Sequence, residues 1–483
     1  MSTYATPGVY VKEISTLPAS IAAVETAIPA FIGHTNLASK AGESVRGVPT
    51  RITSMLDYES IFGFAQPEAI TIAIQDTYAG ENNQPAKLSS RIVKANAPIT
   101  PSVFKMYYSL RLFFDNGGGP CYIISVNDFA TPPAVGDSTV ATSLLGGLAA
   151  LEKVDEPTLI LFPDELTLAN GKFVYDTALA QCKKLMDRFV IIDVKANTGD
   201  SFADGENFRN NGIGSGDLKY GAAYYPNLKS ALNFGYDSAS VTISQTHSYI
   251  GSGTPSPPIA NSANSSNLTA LSTADPSLHR AILSEISKLY AIVPPSGAVA
   301  GVYARVDSQR GVWKAPANVD IRSVIGPALK VSHEQQASLN VDASSGKSIN
   351  VIRSFTGKGT LVWGARTLAG NDNEWRYVPV RRLFIFIEES VKKATEFVVF
   401  EPNDANTWLR VKTMVENFLA KLWRDGALAG AKPEEAFFVR IGLGITMTSQ
   451  DVLEGRMIVE IGLAAVRPAE FIILKFSHKL QES

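Results

Sequence analysis

Cysteine is nearly absent: Cys121 and Cys182 are the only two in 483 residues. At that density a disulfide framework is not credible, and each sits beside apolar residues, so both read as reduced core positions. Charge of one sign is lacking too. The 44 Lys and Arg against 46 Asp and Glu leave a net charge of −2, and nucleic-acid binding as the main activity would require a basic excess. No apolar run approaches the ~20 residues that a membrane helix needs, so direct membrane insertion is not expected. The first residues lack a basic stretch followed by an apolar one, so no secretory signal is read and folding in the cytoplasm is expected. Asn264-Ser265-Ser266 and Asn267-Leu268-Thr269 match the glycosylation pattern, and in a cytoplasmic Ser/Asn-rich loop the match is read as chance.

Chemistry-bearing motifs are equally scarce. The five histidines are His34, His247, His279, His333 and His478, and none has a second His or Cys at metal-ligand spacing. They read as structural or solvated. No Gly-x-Ser-x-Gly elbow occurs. Gly117-Gly118-Gly119 follows a helical pattern and opens a strand, the reverse of a dinucleotide loop, so it reads as a helix-ending turn. Ser345-Gly346-Lys347-Ser348 resembles the tail of a phosphate loop, but that pattern needs a glycine where Val341 stands. No catalytic, metal or cofactor residue is therefore assigned, and the chain is not read as an enzyme.

What is present is core material. Apolar residues make up 45% and charged residues 19%, a globular composition whose length predicts two to four domains. Apolar runs alternate with helical periods. Ile28–Gly33, Cys121–Val126, Thr158–Phe162 and Phe189–Val194 read as buried strands, and Phe104–Phe114, Ser143–Leu151, Phe173–Asp187 and Leu278–Tyr290 as helices. Continuous apolar strands between amphipathic helices indicate a sheet covered on both faces. Residues 199–217 and 251–275, rich in Gly, Asn, Ser and Pro, read as long loops. A polar segment centred on 340–360 then gives way to an α+β pattern. Pro379 suits a first helical turn, with Val380, Leu383, Ile387, Val391 and Ala394 recurring after it. Glu388–Lys392 and Glu389–Lys393 are favourable i,i+4 pairs. Asn403 or Asp404 caps a second helix, and strands follow at Ala436–Met447 and Arg456–Val466.

Both ends of the chain look like strands without a nearby partner. Thr6-Pro7-Gly8 leads into Val9–Ile14, and Pro468-Ala469-Glu470 leads into Phe471–Phe476. Unpaired strands seek a sheet edge, and two of them on one chain point to edges supplied by other copies.

These residues resemble the contractile sheath family of phage tails, R-type pyocins and extracellular contractile injection systems. Three segments carry the resemblance: Thr6–Ile14 with Ala27–Gly33; Val293–Arg305 with Arg310–Asn318; and Val380–Leu383 through Phe400-Glu401-Pro402-Asn403 to the end. The resemblance implies an α/β and α+β protein of four parts: an N-terminal arm at 1–25, an outer α/β sandwich-like region at 26–350, an inner α+β sheath domain at 351–466, and a C-terminal arm at 467–483. It implies that the arms are donated to neighbouring subunits through Val9, Tyr10, Val11, Lys12 and Ile14, and through Phe471, Ile472, Ile473, Leu474 and Phe476. The accepting strands are then expected to contain Phe437, Val439 and Ile441, and Met457, Val459 and Ile461. Lys392, Lys393, Arg410, Lys412 and Lys421 become candidates for contact with an inner tube, although lysines on a solvated helix face are the plainer reading of the first two. The implied partners are the chain itself in a helical polymer, the tube protein, and baseplate and terminal cap proteins. The implied place is the bacterial cytoplasm during assembly and then a tail or tail-like particle. A non-contractile capping protein of similar fold, or an α/β enzyme with a dispersed site, are the alternatives.

Overall fold

The computed structural model describes residues 21–79, 87–250, 263 and 267–473. The expected arm residues Val9, Tyr10, Val11, Lys12 and Ile14, and the C-terminal Leu474 and Phe476, lie outside them. The chain forms two compact units: a large one of Glu25–Ile385 with the segment from Arg467 onward, and a small one of Phe386–Val466 with the segment up to Val24. The division falls inside one helix, Val378–Thr395.

The large unit is built on a nine-stranded sheet. Its order is Val319–Asp320, Gly359–Val362, Ile349–Phe355, Gly221–Tyr225, Phe189–Asp193, Leu159–Leu161, Pro29–Gly33, Cys121–Ser125 and Thr50–Ile52. The central six strands are parallel, with Ala30 opposite both Tyr122 and Ile160, and the flanking ones antiparallel. Pro29–Gly33, Cys121–Ser125, Leu159–Leu161, Phe189–Asp193 and Gly221–Tyr225 are buried at every residue, which is why they read as unbroken apolar runs. Cys121 and Cys182 are free and buried, and burial pushes both thiols up.

Helices cover the sheet. In Leu144–Leu151, the Ser143 hydroxyl caps the Gly146 N–H at 3.1 Å. Met106–Asp115 packs against Ser296–Arg310, and the fit depends on two glycines. A Cβ on Gly297 would stand 2.2 Å from the Ser109 carbonyl oxygen, and one on Gly301 would stand 2.4 Å from that of Phe113. Only a bare Cα lets the two backbones approach so closely. Ser296–Arg310, which takes in most of the Val293–Arg305 segment, is thus a helix buried on most sides.

Several expectations change. The loop expected at 199–217 is largely helical: Ser201–Asn207 is followed by a wider turn at Phe208–Gly212. Arg209 explains the order, because its guanidinium donates to the carbonyls of Lys347, Ser338 and Leu339 at 3.1, 2.9 and 2.9 Å. Within 251–275, Leu268–Ala274 is a helix capped by Asn267. The polar segment at 340–360 contains two strands of the main sheet, Ile349–Phe355 and Gly359–Val362.

A second sheet of the large unit places Thr71–Ala79 between Thr242–Ile250, parallel to it, and Lys87–Asn96, antiparallel. Asp76 points inward beside Ile72 and Ile74, and its burial is compensated by Arg91 at 2.7 Å and Gln245 at 2.7 Å.

In the small unit, Ala405–Arg424 is capped by Asp404, whose carboxylate accepts from the Thr407 N–H at 2.9 Å. Val411, Met414, Val415, Phe418, Leu419 and Leu422 form its buried stripe, and Phe418 meets Phe386 with ring centres 6.1 Å apart. The strands expected at Ala436–Met447 and Arg456–Val466 are shorter, Phe437–Arg440 and Glu460–Leu463. The first ends early because Gly442 and Gly444 take φ of +152° and +75° and turn the chain, with Thr446 and Met447 N–H groups donating to the Gly442 carbonyl.

Candidate assembly surfaces

The two short strands of the small unit form an antiparallel ribbon, with Phe437 opposite Leu463 and Val439 opposite Ile461. Among the described residues neither strand pairs with a third strand, the chain beyond the second bonding back to residues 427–429 only from Ala464 onward, so the ribbon has two open edges. A pair of strands this short is marginal on its own, and its unpaired N–H and C=O groups can receive another strand. Val439 is buried and Phe437 and Ile461 are half-buried, so one face of the ribbon belongs to the unit's core. Phe438 and Arg440 occupy the other face. The Arg440 guanidinium lies 4.6 Å from the Phe438 ring centre, and the ring covers Gly462. Of the expected accepting residues, Phe437, Val439 and Ile461 lie in the ribbon. Ile441 follows the first strand, and Met457 and Val459 precede the second.

The segment leading toward the expected C-terminal arm is held at one point. Glu470 accepts from the Arg366 guanidinium at 2.6 and 2.9 Å, from the Asn340 amide at 2.6 Å and from the Tyr377 hydroxyl at 3.1 Å. Burial works to raise the Glu470 carboxyl. The Arg366 and Asn340 hydrogen bonds outweigh it and hold the group below its ordinary range. Just beyond, Phe471, Ile472 and Ile473 have no strand partner among the described residues and are 68%, 80% and 79% exposed. Three consecutive apolar side chains in solvent are an interaction surface in waiting.

The five candidate tube-contact residues lie on two helices, Val378–Thr395 and Ala405–Arg424. Lys392 and Lys393 both reach the buried Glu389 carboxylate, at 3.2 and 3.3 Å, so Lys392 uses an i,i+3 pair in addition to the i,i+4 spacing read for Lys393. Arg410 lies over the Phe397 ring at 5.6 Å, and Lys412 pairs with Glu416 at 3.7 Å. Lys421 is exposed in the last turn of the same helix, about 16 Å along the axis from Arg410 at 1.5 Å per residue.

An apolar tip between the two helices escaped the sequence reading. Phe400 is fully exposed with φ of +71°, and Val399, at 63%, and Leu409, at 65%, are exposed near it in sequence. A bulky residue at positive φ is a genuine outlier, and single-sequence periodicity carries no signal for it.

The motifs set aside above have structural roles. The Lys347 ammonium donates to the carbonyls of Arg209 and Ile213 at 2.6 and 3.0 Å. Gly117 turns the chain at φ of +104° after Met106–Asp115. His34 and His247 each lie beside one carboxylate, Asp164 at 3.5 Å and Asp76 at 3.9 Å. Among the described residues no group of three or more His, Cys, Asp or Glu is placed to hold a metal ion, and no helix is long and apolar enough to cross a membrane.

Comparison with known proteins agrees along the whole length. Residues 139–368 match the family model for the phage tail sheath protein central domain, and residues 370–479 the model for the phage tail sheath C-terminal domain. A chain in the anti-feeding prophage baseplate structure is 33% identical, with 99% of this chain and 100% of that one covered and a TM-score of 0.62. A chain in the contracted PVC sheath complex, an extracellular contractile injection system, is 29% identical over 100% of this chain and 99% of that one, with a TM-score of 0.63. The tail sheath protein of Vibrio phage KVP40 is 26% identical over 130 residues, 27% of this chain. That match spans 19%, about a fifth, of the relative's own length. The chain belongs to the phage tail sheath family.

Proposed function

We propose that this chain is the repeating subunit of a contractile sheath. It polymerises helically around an inner tube and contracts from a metastable extended state, driving the tube through a target envelope. The observation that carries the reading is the two-edged ribbon of the small unit, met on the same chain by the exposed Phe471, Ile472 and Ile473 and, in the sequence, by the β-branched and aromatic run Val9–Ile14. One neighbour's N-terminal arm, through Val9–Ile14, pairs with one edge. Another neighbour's C-terminal arm, through Phe471–Phe476, pairs with the other. Such contacts are head-to-tail and do not close, so they generate a helix.

Contraction needs no nucleotide in this scheme. The extended lattice is held by a barrier, and rearrangement of the outer regions buries new interface. A gain on the order of a few kcal/mol per subunit, comparable to a modest fraction of a domain's stability, multiplies over many copies. The tube grip must release, which suits charged side chains on the small unit's helices: Lys392 and Lys393, or Arg410, Lys412 and Lys421. Baseplate and cap proteins close the ends. The subunit works as a structural element with no catalytic step, assembles in the bacterial cytoplasm and ends in a tail or tail-like particle.

Negative-stain electron microscopy of the full chain beside a version lacking residues 1–20 tests this. Hollow striated cylinders lost on truncation support a sheath linked through the N-terminal arm. Cylinders from both retain the sheath and remove the arm mechanism. Small discrete particles from both, persisting when tube protein is added, overturn the sheath reading.

A further inference from the structure

A cavity of about 610 Å³ lies beyond the carboxyl ends of two parallel strands of the main sheet, Leu159–Leu161 and Gly221–Tyr225, within the size range of small-molecule sites. Its wall includes Pro163 and Asp164, which follow Leu159–Leu161, and Asn227, which follows Gly221–Tyr225. Apolar side chains supply most of the rest, among them Val103, Phe234 and Leu289.

Two polar groups in this wall await a partner. The side-chain oxygen of Asn227 is buried without a hydrogen bond. Lys105 is half-buried, and among the described residues no carboxylate comes within ion-pair distance of its ammonium. Burial depresses that ammonium against the opposing pull of Glu68 and Asp164. The Asp164 oxygens are already used, each accepting a backbone N–H at 2.7 Å, from His34 and from Lys105 itself. Glu68 in turn accepts the Ser102 N–H at 2.9 and 3.0 Å. A buried amide oxygen without a donor is costly, and the half-buried Lys105 ammonium has no anion paired to it among the described residues.

We propose that this cavity is a binding site for a small amphipathic carboxylic acid. The apolar body fills the pocket, the carboxylate meets the Lys105 ammonium, and a hydroxyl or amide N–H on the ligand donates to Asn227.

Calorimetric titration of the full chain with three probes, the acids below their micellar concentrations and the alcohol below its solubility limit, tests it. These are 3-hydroxydecanoate, which carries all three features; decanoate, which lacks the donor; and 1-decanol, which lacks the charge. Saturable binding should weaken in that order, with about a tenfold step where the charge is lost, as expected of one charge-assisted contact. Lys105→Met should erase that step and leave 1-decanol unchanged. Val103→Trp should fill the cavity and abolish binding of all three. Circular dichroism confirms that each variant is folded. The ranking on the unaltered chain stands as a test should a variant fail to fold. Absence of saturable 3-hydroxydecanoate binding, equal affinity for all three probes, or undiminished binding in a folded Val103→Trp chain overturns the proposal.

Discussion

The large and small units solve the strand-edge problem in opposite ways. In the large unit six parallel strands lie side by side, five of them buried at every residue, and short antiparallel strands close the flanks. In the small unit two four-residue strands pair with each other and with no third strand among the described residues. The first arrangement is self-sufficient. The second places its hydrogen-bonding capacity where another chain can use it. A subunit built this way can be stable alone and still be incomplete.

The largest expected effect breaks the self-sufficient side. Phe31 is fully buried, edge-on to Phe113 at 5.5 Å, and Phe31→Ala should cost about 3–5 kcal/mol, seen as a lower denaturant midpoint. Leu419→Ala, in the small unit's buried stripe, should cost about 2–5 kcal/mol. If the units unfold independently, the two variants move different transitions in chemical denaturation. A single shared transition would mean that the self-sufficient and incomplete parts unfold as one.

Glu470→Gln is a subtler break. It removes the charge opposite Arg366, whose side chain is only 4% exposed, and should cost about 1.5–3 kcal/mol of local anchoring. Limited proteolysis should then cut more readily around residues 467–473 while the midpoints of both units stay in place. The same contact gives a pH signature. Glu470 titrates below its ordinary value of 4.5, so its contribution is complete above that value and is lost as pH falls through the folded-state value. Protease sensitivity of the segment should therefore rise in acid, and in Glu470→Gln it should not depend on pH in that window.

The smallest effect sharpens the comparison. Phe400→Gly removes a side chain at φ of +71° and should raise the small unit's stability by about 1 kcal/mol. Loss of cylinder formation in that stabilised variant would mark the apolar tip as a contact surface.

How far the sequence reveals this architecture depends on whether the deciding contacts are local. Phe189–Asp193 and its neighbours are legible because a strand buried on both faces must be apolar throughout. Thr71–Ala79 is not, because its inward positions include Asp76, whose partners Arg91 and Gln245 are remote in sequence. Ser296–Arg310 lacks an amphipathic period because so little of it faces solvent. Arg209 orders a segment that composition alone marks as a loop. At the assembly surfaces, the ribbon residues Val439 and Ile461 are apolar and alternate as strand residues do. That their strands have open edges is a property of pairing, which no local pattern records. Gly442 and Gly444 shorten the first strand through backbone angles that a composition count does not weigh.

The clamp on Glu470 also decides where force goes. The preceding strand, Glu460–Leu463, belongs to the small unit, whereas Glu470 is fastened to Arg366, a few residues beyond a strand of the main sheet. A pull that reaches Ile473 is therefore borne first by the charged, two-toothed anchor on Arg366. The fragile ribbon upstream is spared that tension, as a cable is relieved of strain by a cleat set ahead of its splice.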